Sequence, residues 1–315
     1  MHPERADRIR AIHRAVREAG LVDSADPFPE FELDLGPMDG KGVKLLEVAP
    51  VAAEEKWLDL VHPADYVQKM RQLCEAGGGM LDEDTTISAK SYEIALLSLG
   101  GVLTACDVVM DGRAKRAFSA GRPPGHHAEE ARAMGFCLFA NVAIGARYLQ
   151  KKYGVKKVAI VDFDVHHGNG TQAVLEADPS VYFVSMHEDP KTCYPGSGFE
   201  WEKGIGAGTG FTLNVPFRPG AGDEDYLEAI TTRIAPGVEA FGPEVLMISA
   251  GFDAHKDDPL AHIELTEVGF EQMTRELVGL AERCCSGRVV SVLEGGYDLR
   301  ALGRSVVRHL VAMDG

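Results

Sequence analysis

Beyond residue 116 the chain alternates short runs of β-branched and other apolar residues with helical stretches, the runs covering 116–120, 158–163, 181–186, 211–215, 245–249 and 289–293. Several are apolar at every position, as in Val158-Ala159-Ile160-Val161, the pattern of a strand covered on both faces. Strands separated by helices predict a parallel sheet in an α/β layered architecture. The first hundred residues read mainly as helices and loops. Positions 8–19 carry an amphipathic period, and 53–75 is helical except at His62-Pro63, because proline disfavours helix in the residue before it. The segment Asp26-Pro27-Phe28-Pro29 breaks the chain. Gly77-Gly78-Gly79 and the polar run 82–86 read as loop, and 88–110 as a long, largely buried helix. No repeat, low-complexity tract or Pro/Ser linker divides residues 1–315, which read as one α/β domain.

The titratable residues collect where the apolar runs end. The first run leads into Arg122-Pro123-Pro124-Gly125-His126-His127, and the second into Asp162-Phe163-Asp164-Val165-His166-His167-Gly168-Asn169. The third ends at His187-Glu188-Asp189, the fifth leads into Gly251-Phe252-Asp253-Ala254-His255, and the last gives Glu294-Gly295-Gly296-Tyr297. In an open parallel sheet all carboxyl ends share one edge, where ligands bind. Asp162, Asp164 and His166 are spaced two apart, so in extended backbone their side chains point to one side. Carboxylates with an imidazole suit a divalent first-row metal, zinc being the common case. An acidic strand end with satisfied hydrogen bonds is the plain alternative. The flanking His167-Gly168-Asn169-Gly170 and the further Asp253 at another strand end favour the metal.

Adjacent His126 and His127 on a proline-fixed loop cannot both be buried without partners. Beside a metal and its water they can hold different protonation states, with Asp162 and Asn169 as candidate partners. A carboxylate raises its partner's pKa, and a neutral amide does so much less. Tyr297 follows two glycines, which let backbone approach a ligand closely, and a phenol there can donate to a developing oxyanion. It can equally be an ordinary strand-end tyrosine. The glycines at 204, 206, 208 and 210 precede a strand instead of joining strand to helix, so they read as loop and not as a dinucleotide site.

Charge narrows the partners. Lys and Arg total 32 against 48 Asp and Glu, a net charge of −16. Such a surface repels phosphate backbones and argues against nucleic acid, while suiting cationic small molecules or Lys-rich tails. The six cysteines form no CxxC pair, the polar N-terminus has no signal-peptide core behind it, and no uninterrupted apolar run approaches the ~20 residues of a membrane span. The expectation is a cytoplasmic protein with buried thiols and no membrane partner, Cys284-Cys285 sitting at a helix end.

Six stretches together resemble the zinc-dependent histone deacetylase family, which includes histone deacetylase-like amidohydrolases and acetylpolyamine amidohydrolases. They are RPPGHHA at 122–128, GFCLFAN at 135–141, VDFDVHHGNGTQ at 161–172, YPGSG at 194–198, SAGFDAHKDDPL at 249–260 and LEGGYD at 293–298. Asn169 and the LEGGY stretch are similar to the class II branch. Weaker likeness lies in HPER at 2–5 and LVHPADYV at 60–67. The resemblance implies the arginase/deacetylase fold, with a parallel eight-stranded sheet between helices. Family chains usually begin with a strand before the HPER-like segment, where this numbering starts, which leaves the sheet edge open.

The resemblance also assigns the site. Asp164, His166 and Asp253 would bind one zinc ion, and a structural potassium ion would sit on backbone oxygens of Asp162, Asp164, His166 and Met186 and on the side chains of Asp162 and Ser185. Gly135, Phe136, Tyr194 and Leu260 would line the substrate channel, Tyr194 standing where relatives usually carry Phe, and Arg8 would line an acetate-exit channel. His127 with Asn169 would act as general base and acid, and His126 with Asp162 would stay protonated. Tyr297 would donate to the oxyanion. Asp253-Ala254-His255 is also similar to a metal motif of binuclear arginases, so a second divalent ion is an alternative. The implied function is removal of short acyl groups from acyl-lysine. An acetylpolyamine amidohydrolase, a cationic small amide being its substrate, is the first alternative, and a non-catalytic acyl-lysine-binding zinc protein the second. Oligomeric state stays open, a homo-oligomer included.

Overall fold

The computed structural model describes residues 2–315. Helix α1 (Asp7–Glu18) opens the chain and α2 (Ala64–Glu75) follows a short 3-10 turn at Glu55–Leu60. A small hairpin of β1 (Gly78–Met80) and β2 (Thr86–Ser88) precedes α3 (Ser91–Met110). Then strands and helices alternate: β3 (Arg116–Ser119), α4 (Asn141–Tyr153), β4 (Val158–Asp162), α5 (Asn169–Leu175), β5 (Val181–Glu188) and β6 (Thr212–Phe217). The last part holds α6 (Asp223–Ala229), a π-helical stretch at Ile230–Ile234, α7 (Ala235–Phe241), β7 (Val245–Ala250), α8 (Glu267–Cys285), β8 (Val289–Leu293) and α9 (Leu299–Asp314).

Strands β3, β8, β7, β4, β5 and β6 form one all-parallel sheet in that spatial order. These are the six runs read from the sequence. The sheet therefore has six strands among the described residues and not eight. Residues 19–54 make no strand, and their composition explains it. Pro27, Pro29, Pro37 and Pro50 lack the N–H that a ladder needs, and Gly36, Gly40 and Gly42 interrupt what remains. The hairpin is the other departure, because the triple glycine supplies β1 instead of plain loop.

Alternation along each strand sorts its side chains between two cores. On one face Val161, Val184, Met186, Leu246 and Ile248 pack with α1 and α6–α9. On the other, Val158, Ile160, Phe183, Val245, Met247, Val290 and Val292 pack with α2–α5. Helix α3 has the length and apolarity of a membrane span, but it packs Leu99, Val102, Leu103 and Cys106 into the second core. Register sets Asp162 of β4 beside Ser185 of β5 on one side and Ser249 of β7 on the other, which brings the polar strand ends to one edge.

Candidate metal centre and active site

At that edge β4 runs out into Asp164 and His166, and the loop after β7 delivers Asp253. One ligand atom from each of the three lies within 4.8 Å of the others, and all three residues are buried. His166 Nδ1 is 3.0 Å from Asp164 Oδ1 and 3.2 Å from Asp253 Oδ2. Two carboxylates thus converge on one imidazole nitrogen. Burial opposes the charged imidazole, but these carboxylates hold the His166 pKa well above its ordinary value. Asp253 Oδ2 is buried and has no hydrogen-bond partner, only the 3.2 Å approach of His166 Nδ1, an arrangement that a cation would satisfy better. The cradle is closed by backbone: a Cβ at Gly295 would stand 1.9 Å from Asp253 Oδ2 and 2.6 Å from Asp164 Oδ2. A donor set of two carboxylates and one imidazole, three protein ligands, fits a catalytic divalent ion. Among the described residues it is the one group of three such side chains. His255 stands apart from it, with Nδ1 accepting the Asp257 amide at 3.1 Å.

The adjacent histidines have unequal partners. His126 Nδ1 meets Asp162 Oδ2 at 3.0 Å, and His127 Nδ1 meets Asn169 Oδ1 at 2.7 Å, with ring centroids 4.0 Å apart. Asn169 Nδ2 donates to Glu129 Oε1 at 3.1 Å, which orients the amide. Its oxygen therefore accepts, so the His127 proton sits on Nδ1 and Nε2 is left as the basic nitrogen. Burial lowers both pKa values, and the outcome is decided by neighbours. The carboxylates of Asp164 and Asp162 raise His126 to about 10, whereas the charges of His126 and His166 add to burial and push His127 well down. Two adjacent imidazoles are thereby a cation and a neutral base at one pH.

Tyr297 enters from the end of β8, its ring 5.8 Å from Phe136. Asp298 caps α9 by accepting the Ala301 amide, and Asp258 Oδ2 accepts the Tyr297 and Asp298 amides at 2.6 and 3.1 Å. Arg8 is fully buried behind the ring, its guanidinium 4.9 Å from the centroid, donating to the carbonyls of Glu294 and Gly296 while Nη1 has no hydrogen-bond partner. Tyr194 leans edge-on over His127 at 5.1 Å and His166 at 6.2 Å. Burial, then the charges of Asp84 and Asp82, raise its pKa. Phe136 (φ 67°) follows Gly135 (φ 56°), and a Cβ at Gly135 would stand 2.3 Å from His127 Cδ2. The Phe136 amide donates to Thr85 Oγ1, which ties the hairpin tip to this wall. Leu260 is exposed on the loop that Asp258 Oδ1 holds through its amide. Ser185 is buried beside His187, Oγ to Nδ1 at 2.9 Å.

Of the residues named from the sequence, the ligand group, the histidines with their partners, Phe136, Tyr194 and Tyr297 gather around one point. The clamping carboxylates Asp258 and Glu294 were not singled out. Asp258 stands in the stretch shared with relatives and Glu294 in the LEGGY stretch, but their targets are backbone amides that sequence does not mark.

A histone deacetylase domain profile matches residues 2–313. The chain belongs to the histone deacetylase family. It is similar to the histone deacetylase-like amidohydrolase of Pseudomonas aeruginosa, 44% identical over 255 residues, 80% of this chain and 66% of that one. A probable deacetylase of Archaeoglobus fulgidus is 38% identical over 315 residues, all of this chain and 82% of the relative. The crystal structure of the HDA15 HD domain superposes with a TM-score of 0.88 at 35% identity, covering all of this chain and 85% of that one. The fold is thus the deacetylase fold, and the family membership makes the protein a hydrolase of amides with acylated amine substrates.

Proposed function

We propose that the protein removes acetyl or other short acyl groups from the amine of acyl-lysine, in a protein or a small molecule, with one zinc ion on Asp164, His166 and Asp253. The observation that carries this reading is the unequal pair of His126 and His127 beside the ligand group. When bound, the zinc ion supplies Lewis acidity, polarising the amide carbonyl and bringing the attacking water toward a pKa of ~7.

The chain's own residues do the rest. His127 takes the water proton on Nε2 and later gives it to the departing amine. His126 stays protonated against Asp162 and stabilises negative charge in the site. Tyr297 donates its hydroxyl to the developing oxyanion. Gly135, Phe136 and Tyr194 grip the substrate stem, and Leu260 stands at the rim. Arg8 Nη1, 3.6 Å from Glu4 Oε1 and without a hydrogen-bond partner, offers a donor to the released acetate. A potassium ion on Asp162, Asp164, His166, Ser185 and Met186 would tie the ends of β4 and β5, and the pairing of Asp162 with Ser185 supports that placement.

One observation favours acetylpolyamine as a second substrate class: Thr85, which is hydrogen-bonded to both Asp82 and Asp84, accepts the Phe136 amide and so fixes this acidic loop against the channel wall. The test is zinc-loaded turnover on a fluorogenic acetyl-lysine peptide and on N-acetylputrescine, with an EDTA-treated control. Metal-dependent cleavage favouring the peptide is expected. Preference for acetylputrescine moves the function to polyamines, and no cleavage of either overturns the deacetylase reading and makes longer acyl-lysine peptides the next substrates to assay.

A further inference from the structure

Glu294 is a fully buried carboxylate that no step above consumes. It follows the last residue of β8 and is pinned at its own backbone, its amide donating to the Ala250 carbonyl at 2.9 Å and its carbonyl accepting from Arg8. Its side chain turns away from that strand end toward the histidine loop. One oxygen, Oε2, accepts the amides of Gly125 at 2.7 Å and His126 at 3.1 Å, while Oε1 accepts from Ser249 Oγ at 3.3 Å. Three residues further along the same backbone stands Tyr297. The acid–base histidines and the oxyanion donor arrive on segments about 170 residues apart in sequence, and this carboxylate joins them directly. Burial pushes its pKa to about 7, so the fold tolerates an unfavourable site for an acid here.

We infer that Glu294 is a positioning residue, which sets the His126–His127 loop against Tyr297 by holding two loop amides with a single oxygen. The inference rests on the proposed deacetylase reading for its kinetic consequence and on the hydrogen bonds alone for its structural one.

Two variants separate placement from charge. Glu294→Gln keeps the length and an oxygen that can accept both amides, and its NH2 can donate to the Ser249 hydroxyl. Glu294→Asp keeps the charge but withdraws the oxygens by about 1.5 Å, one carbon–carbon bond, beyond hydrogen-bond reach. The expected result is kcat within about threefold of wild type for Glu294→Gln and a loss of about 10²-fold for Glu294→Asp, with KM within twofold in both. Amide hydrogen exchange over residues 121–128, read by mass spectrometry, should quicken in Glu294→Asp and not in Glu294→Gln. Glu294→Gln falling as far as Glu294→Asp would mean that charge matters and placement does not, which overturns the inference. So does Glu294→Asp at wild-type rate and wild-type protection. Should Glu294→Asp fail to fold, a 10²-fold loss in folded Glu294→Gln overturns it by itself. If the wild-type protein hydrolyses no acyl amide, the proposed function falls, and the exchange comparison still decides the role of Glu294.

Discussion

Replacing Gly135 by Ala tests the placement of the proposed base without touching any polar group. The position has φ of 56°, where an L side chain costs about 1–2 kcal/mol. The added methyl would stand 2.3 Å from His127 Cδ2 and 2.6 Å from Cγ, where ordinary contact begins at 3.4 Å. Either the ring or the Gly135 backbone must move by roughly 1 Å, and overpacking of that kind costs about 1–3 kcal/mol. The hydrogen bond of His127 to Asn169 at 2.7 Å has no slack for a shift of that size. A misplacement of about 1 Å at a reacting group is worth about 10² in rate. The expected outcome is a fall in kcat of about 10²-fold on the acetyl-lysine peptide, with zinc content unchanged and a Tm lower by several degrees. Steady-state kinetics with metal analysis and a melting curve measure all three. A Gly135→Ala protein with kcat within twofold of wild type would show that His127 is not the base, or does not sit where this glycine admits it.

Other expectations are simpler to state. Tyr297→Phe should lower kcat by about 10²–10³-fold with little change in KM, since it removes the proposed oxyanion donor, and stopped-time assays at saturating substrate read it. Asp253→Asn should weaken zinc binding by at least about 10²-fold, seen as metal lost on dialysis against a chelator at a concentration the wild type survives. Acid should unfold the protein through its buried neutral histidines. Burial lowers His62 to about 4 and His309 to about 3, His309 being held between Thr274 Oγ1 and Ser291 Oγ. Below pH 6.5 the unfolded chain binds protons that the folded chain refuses, so the stability present above 6.5 is lost as pH falls through it. Each group removes about 2 kcal/mol by pH 5, and urea midpoints at pH 7 and 5 should draw together in His309→Gln.

The inner sheet strands were legible because they are covered on both faces, so Val158–Asp162 and Val289–Leu293 are buried at every position and are apolar at all but Asp162 and Ser291. The ligand group was legible for a related reason, since strand ends of a parallel sheet share an edge and Asp164, His166 and Asp253 each follow one directly. The start of α3 was read three residues early because Ser88 belongs to β2, a strand held by pairing with Gly78 and not by its own pattern. The expected eight strands came from resemblance, and the proline-rich segment 27–50 offered no periodic signal to contradict it. The clamps were illegible for a different reason. Asp258 acts on amides 39 and 40 residues away, and a side chain that satisfies distant backbone leaves no pattern in sequence.

The spatial order of the sheet bears on how the chain is born. Strand β8 is made last, yet it lies between β3 and β7, so neither of those neighbours can close the sheet without it. A chain emerging from the ribosome can pair β4 with β5 and β7, and β5 with β6, while β3 waits alone, its ladder partner some 170 residues behind in synthesis. Such long-range pairing is slow, and a waiting parallel strand is an exposed edge. The Tyr297 segment arrives only with that final insertion, so a nascent chain that already carries both histidines and all three proposed metal ligands would still lack the proposed oxyanion donor. Loss of catalysis in a C-terminally shortened chain would therefore report an unfinished sheet as well as a missing residue.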